Sequence, residues 1–200
     1  MLEALTGSGL AAAAGLNAYI PLVAVGLLSR YTDLIKLPPQ WDWLQNGWVL
    51  LILSVLLVIE VVADKVPIVD HVNDVLGTVV RPTAGGLAFG ATAGASTLTV
   101  PEASANTPSW VPILVGAVIA LVVHGAKATV RPVANVATAG VAAPVLSTTE
   151  DFASVVMSVV AVVLPVLVLL GFVFLAAGGW YLWRRRSRRK AVRRARDATV

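Results

Sequence analysis

The sequence predicts an all-α integral membrane protein: a bundle of five or six transmembrane helices, with an internal duplication and short interfacial or re-entrant half-helices. Three observations carry that prediction. Of the 200 residues, 58% are hydrophobic and 13% charged, about half the charged share of a soluble domain. Apolar runs long enough to cross a bilayer recur along the whole chain, as helical spans require. The charges are gathered rather than spread: residues 184–197, "RRRSRRKAVRRARD", hold nine Lys or Arg and one Asp, so the rest of the chain has six basic and ten acidic residues.

Residues 9–29, "GLAAAAGLNAYIPLVAVGLLS", make the first span, with Asn17 and Pro21 inside it. Residues 47–65, led by Trp48, make the second. Pro67 ends that helix, and 68–80 is too short and too acidic to cross, so it reads as an interfacial or re-entrant half-helix. Residues 82–100 form a small-residue span suited to close helix packing. Residues 110–127 form the fourth. Residues 132–148, interrupted by Asn135 and Pro144, read as a full or partial crossing. Residues 152–183 form the last and longest, kinked at Pro165. Residues 1–183 are therefore one multi-span domain, with repeat halves 9–80 and 82–145 and a final helix 152–183. The basic tail 184–200 follows.

Lys and Arg set the orientation. The tail abuts "GGWYLW", which reads as an aromatic belt, so it reads as a cytoplasmic flank drawn to anionic lipid headgroups over 184–196 rather than as a nucleic-acid site. The 101–109 loop carries no Lys or Arg and suits the outside. Lys65, Arg81, Lys127 and Arg131 then fall on the inner side. Arg30 and Lys36 fall outside, accompanied by Asp33 and Asp42. The expected location is the cell membrane, with the C-terminus cytoplasmic. The N-terminus lacks the basic region of a signal peptide. The absence of cysteine excludes disulfides, thiolate metal sites and thiol catalysis.

The duplication rests on an offset of 62 residues, which lays Val61, Lys65, Asn73, Val79 and Pro82 on Val123, Lys127, Asn135, Val141 and Pro144. Transporters and channels are often built from duplicated halves with the site between them.

Glu60 and Asp64, four apart, share one face near the end of the second span. His124, Lys127 and Arg131 share one face near the end of the fourth. Charges inside a bilayer cost roughly 2.5–3.5 kcal/mol each on insertion scales and rarely face lipid. The acidic face is therefore expected to meet the basic one, either as ion pairs that hold the bundle together or as a polar pathway. Asp70 and Asp74 lie one turn apart if helical and could hold Mg²⁺ with open positions for phosphate; no other cofactor is indicated. His71 and His124 could relay protons. In "TTED", Thr148 or Thr149 reads as the cap of the last helix, with Glu150 and Asp151 on its positive end.

The runs "VADKVPIVDHVNDVLGTVVRPTAGG" and "HGAKATVRPVANV" and the late "ED" resemble the uncharacterised membrane proteins grouped as domain of unknown function 4126. The resemblance covers residues 8 to 175. It is carried by Ala63, Asp64, Lys65, Pro67 and Asp70, by Arg81, Pro82 and Gly85, and by His124 with Lys127. It implies a small multi-span protein and no settled activity.

Three functions fit these residues. One is a transporter or channel for an ion or small charged solute, with its site at Glu60, Asp64, Lys65, Asp70, Arg81, His124, Lys127, Arg131 and Asn135. A second is a Mg²⁺-dependent enzyme on a phosphorylated lipid, using Asp70, Asp74 and Arg81. A third is a non-catalytic membrane factor acting through its tail.

Overall fold

In the computed structural model, the backbone is described for residues 2–93, 95–97, 110–138 and 142–173; the side chains of 67, 68, 70, 71, 96, 97, 132–137 and 142 lie outside that description. The described chain is helical apart from one short strand pair. Its elements are α1 (Leu2–Leu16), α2 (Tyr19–Tyr31), β1 (Ile35–Lys36), a 3₁₀ stretch (Pro39–Gln45), α3 (Gly47–Ala63), α4 (Pro67–Thr92), β2 (Ser96–Thr97), α5 (Trp110–Ala137) and α6 (Ala142–Val163). β1 pairs antiparallel with β2, Ile35 opposite Thr97. Met1–Val168 forms one compact unit; of the second, Leu169–Val200, residues 169–173 are helical.

α1 is the centre of the first unit and packs against α4, α5 and α6. Its sequence explains the position. Glycine and alanine leave no bulk, so neighbouring backbones come close. A Cβ built on Gly15 would lie 2.6 Å from the Ala120 carbonyl oxygen. One built on Gly85 would meet the Ala120 methyl, and one on Gly116 the Gly85 carbonyl. The small-residue character of 82–100 is thus used as expected, against α1 and α5.

α3 is built the other way. Of its 17 residues only Leu50 and Glu60 are buried. Leu51, Ile52, Val55, Val58, Ile59 and Val62 are exposed. Apolar residues that look outward while a carboxylate looks inward are the reverse of a soluble helix, the pattern of a helix that could face lipid. α5 from Trp110 to Arg131 and α6 from Ala143 to Val163 are each long and apolar enough to cross a membrane. The 3₁₀ stretch and α3, bent by 60°, make a third such span if counted together.

Several element boundaries differ from the sequence reading. The 9–29 span is two helices that part at Asn17 and Ala18. Residues 68–80 and 82–92 are one helix, because Pro82 is carried inside α4. Residues 132–148 are no element of their own: the described part belongs to the end of α5 and the start of α6. Pro144 stands in the first turn of α6, where its missing N–H breaks no helical bond. The last helix starts ten residues earlier than expected and is interrupted at Leu164, just before Pro165. At the 62-residue offset, Lys65 lies in the turn after α3 while Lys127 lies inside α5, so like elements are not aligned there. The 101–109 loop and residues 174–200, including the basic tail, lie outside the described residues.

Candidate functional site

The end of α3 carries the first half of the site. Pro67 opens α4, so the chain turns sharply over 64–66 and Asp64 becomes the C-cap of α3. That turn carries Asp64 inward, where it is 1% exposed. Glu60, one turn earlier, is buried beside it.

Arg81, fully buried on α4, is the hub. Its Nε and Nη2 donate to Glu60 Oε1 at 3.2 and 3.0 Å, a fork on one oxygen. Nη2 also reaches Asp64 Oδ2 at 3.5 Å, and Nη1 reaches Asp74 Oδ1 at 3.4 Å. α5 brings the other cations. Lys127 Nζ lies 3.3 Å and Arg131 Nη2 3.2 Å from the same Asp64 Oδ2. Asn73 Nδ2 donates to Asp64 Oδ1 at 2.5 Å. From α6, Glu150 closes the group: Lys127 Nζ is 3.1 Å from its Oε2, and Arg131 pairs with the same oxygen. A single carboxylate oxygen thus faces three cations, and each cation has a further acidic or backbone acceptor. Charge pairing of this density offsets the desolvation of buried ions, which otherwise amounts to several kcal/mol per ion.

Arg81 and Arg131 are twins. Each stands in the tripeptide Val-Arg-Pro, at 80–82 and 130–132. Each reaches Asp64 Oδ2 and Asp74 Oδ1, the latter at 3.4 and 3.8 Å. That repeated tripeptide was the readable signal for Arg81 as an ion-pair partner, which the pairing of faces alone missed.

His124 is set by its neighbours. Arg81 Nη1 lies 2.9 Å from its Nδ1, and a guanidinium can only donate, so Nδ1 accepts. The ring is then neutral, with its proton on Nε2, which donates to Thr78 Oγ1 at 3.3 Å. His124 therefore faces Arg81, not the Glu60–Asp64 face.

The cluster abuts the break between α1 and α2. Lys127 Nζ donates to the Leu16 carbonyl at 2.8 Å, the last one of α1. The Ala18 N–H donates to Glu60 Oε2 at 3.1 Å. Asn17 Oδ1 accepts from the N–H groups of Tyr19 and Ile20 and so caps α2, and its Nδ2 donates to Asp151 Oδ1 at 2.9 Å. Lys65 Nζ lies 3.6 Å from Asp151 Oδ2 and donates to the Val61 carbonyl. Asn17 was legible only as a polar residue inside an apolar run.

The sequence reading of "TTED" is corrected. Glu150 and Asp151 lie inside α6, not at its start. Thr148 and Thr149 donate back to the Pro144 and Val145 carbonyls, at 2.8 Å each. The side chains of Asp70, His71 and Asn135 lie outside the described residues. Asp74, the other half of the expected Mg²⁺ pair, is held by two arginines, and no group of three metal-ligating side chains occurs among the described residues.

The sequence matches, over residues 4–185, the family described as "Domain of unknown function (DUF4126)". The chain belongs to that family. No curated protein and no solved structure matches it. The DUF4126 match takes in nearly all of the described chain, including the whole charge cluster, and assigns no activity to it.

Proposed function

We propose that this protein is a transporter or channel for a small charged solute, with the charge cluster as its gate. The observation that carries the reading is at the helix break: the backbone groups freed there, the Leu16 carbonyl and the Ala18 N–H, are held by Lys127 and Glu60. Broken helices in transporters present such ends to their substrates, carbonyls to cations and N–H groups to anions. Here an ammonium and a carboxylate of the protein sit where a solute's charge would sit. If those side chains exchange partners within the cluster, the backbone ends become available to a solute while Asp64 and Arg81 keep the displaced charges paired. A bundle held only by ion pairs would have no use for a helix broken at the same place.

The same reading puts five or six crossings in the cell membrane, with α4 and the α1–α2 pair beside the apolar spans and the C-terminus cytoplasmic.

The test is ion flux in proteoliposomes, read as transient currents on jumps of Na⁺, K⁺, H⁺, chloride and phosphate. Wild type should carry current for one of these, and the double variant Asp64→Asn/Lys127→Met should fold but lose it. Currents no larger than those of empty vesicles for every ion, or equal in wild type and double variant, would overturn the proposal.

A further inference from the structure

Arg30 stands at the far end of α3 from the cluster, beside Gly47, and its surroundings differ in kind. It lies in the last turn of α2. Its Nη1 donates to the Gln45 carbonyl at 2.5 Å, and its guanidinium carbon lies 5.5 Å from the centre of the Tyr31 ring. The acids that accompany it in sequence do not pair with it: Asp42 instead accepts from Gln45 Nε2 at 3.1 Å, and no carboxylate among the described residues comes within ion-pair distance of Arg30. A guanidinium carries five N–H donors, so among the described residues most of its capacity is unused.

That guanidinium lines an open groove of about 630 Å³ together with Asn46, Gly47, Trp48 and Leu51. Trp48 is 76% exposed and Leu51 53%. Below them runs the outward apolar face of α3, from Ile52 to Val62. A helix of 17 residues is about 25 Å long at 1.5 Å per residue, close to the roughly 30 Å of the hydrocarbon core. The groove therefore lies at headgroup depth when α3 lies in the bilayer, and Tyr31 and Trp48 belong to the aromatic belt. A ligand that fits must be anionic at one end, to meet Arg30, and aliphatic at the other, to follow Trp48 and Leu51 along α3.

We propose that this groove binds a membrane phospholipid, its phosphate on Arg30 and one acyl chain along Trp48 and Leu51. Guanidinium and phosphate match as a planar fork on two oxygens. Because no carboxylate among the described residues neutralises Arg30, a lipid with net negative charge is preferred over a zwitterionic one. The site is separate from the charge cluster and does not depend on transport.

The experiment follows thermal unfolding of the full chain in neutral detergent with dioleoylphosphatidylglycerol, dioleoylglycerol or glycerol phosphate added. Phosphatidylglycerol should raise the wild-type midpoint by several degrees, and Arg30→Gln should lose at least half of that rise while Arg30→Lys keeps most of it. Both variants retain residues 184–200, so any response of the basic tail cancels in the difference. An equal rise in wild type and Arg30→Gln overturns the proposal. So does an equal rise with dioleoylglycerol, which would mean apolar contact alone, or with glycerol phosphate, which would mean a free-phosphate site. Independently, phosphatidylglycerol brominated on its acyl chains should quench a part of the tryptophan emission that Trp48→Phe removes; quenching unchanged in Trp48→Phe also overturns it.

Discussion

Arg81 and Arg30 carry the same side chain to the two ends of α3. At one end, Arg81 is fully buried and donates to Glu60, Asp64 and Asp74. At the other, Arg30 is exposed, bonded to one backbone carbonyl and bordered by tryptophan and leucine. The difference lies in what surrounds each charge rather than in the charge itself. Arg81 lies among helices that supply carboxylates from several directions, so its charge is neutralised inside the protein. Arg30 stands where the described residues supply none, and on the reading above a lipid neutralises it. A buried charge deprived of a partner is costly, and an exposed one is not.

The largest expected effect follows directly. Arg81→Met leaves Glu60 and its neighbours with an uncompensated buried charge and should lose about 3–5 kcal/mol of stability, read as a large drop in the unfolding midpoint in detergent. A midpoint within a degree of wild type would mean the cluster is hydrated, and the contrast with Arg30 would disappear.

Next comes the coupling across the cluster. Asp64→Asn and Lys127→Met should each destabilise, and the double variant should recover part of the loss, a coupling of about 1–3 kcal/mol from the double-mutant cycle. Strict additivity would place the 3.3 Å pair outside the energetics.

Asn17 ties the cluster to the helix break. Asn17→Ala removes the cap on Tyr19 and Ile20 and the bond to Asp151, and should cost about 1–2 kcal/mol. Asn17→Asp keeps the cap but sets a carboxylate against Asp151, so it should not rescue. Unfolding midpoints of the two variants check this, and a wild-type value for Asn17→Asp would show that the contact with Asp151 contributes nothing.

Smaller still is a comparison of two glycines. A Cβ on Gly77 would lie 3.2 Å from His124 Cε1 and 3.3 Å from Arg81 Nε, whereas one on Gly125 meets nothing within 4 Å. Gly125→Ala should therefore gain up to about 1 kcal/mol of helix propensity, and Gly77→Ala should gain nothing or lose stability. Equal gains would show that the packing around Arg81 gives way easily.

The smallest effect belongs to Arg30. In lipid-free detergent Arg30→Gln should stay within about 0.5 kcal/mol of wild type, as denaturant midpoints would show. A loss as large as that of Arg81→Met would mean that Arg30, too, is held by the fold.

Much of this was readable from residue order alone. Composition and apolar runs mark a membrane protein, because helical spans need long stretches of apolar residues, and two or three helices of the fold meet that need. Pro67 determines where α3 ends, since the residue before a proline leaves the helical region. Spacings of three and four determine that Glu60 and Asp64 share a face, and that His124, Lys127 and Arg131 share another. Periodicity names the face of a helix but not its neighbour, so only the tertiary structure decided that Asp64 meets Lys127 and Arg131 while Glu60 and His124 meet Arg81. Proline is likewise ambiguous in an apolar run, because packed neighbours can hold a helix through it. That is why Pro82 lies inside α4, while the chain parts instead at Asn17, where Glu60, Lys127 and Asp151 from distant parts of the sequence receive the freed backbone and side-chain groups.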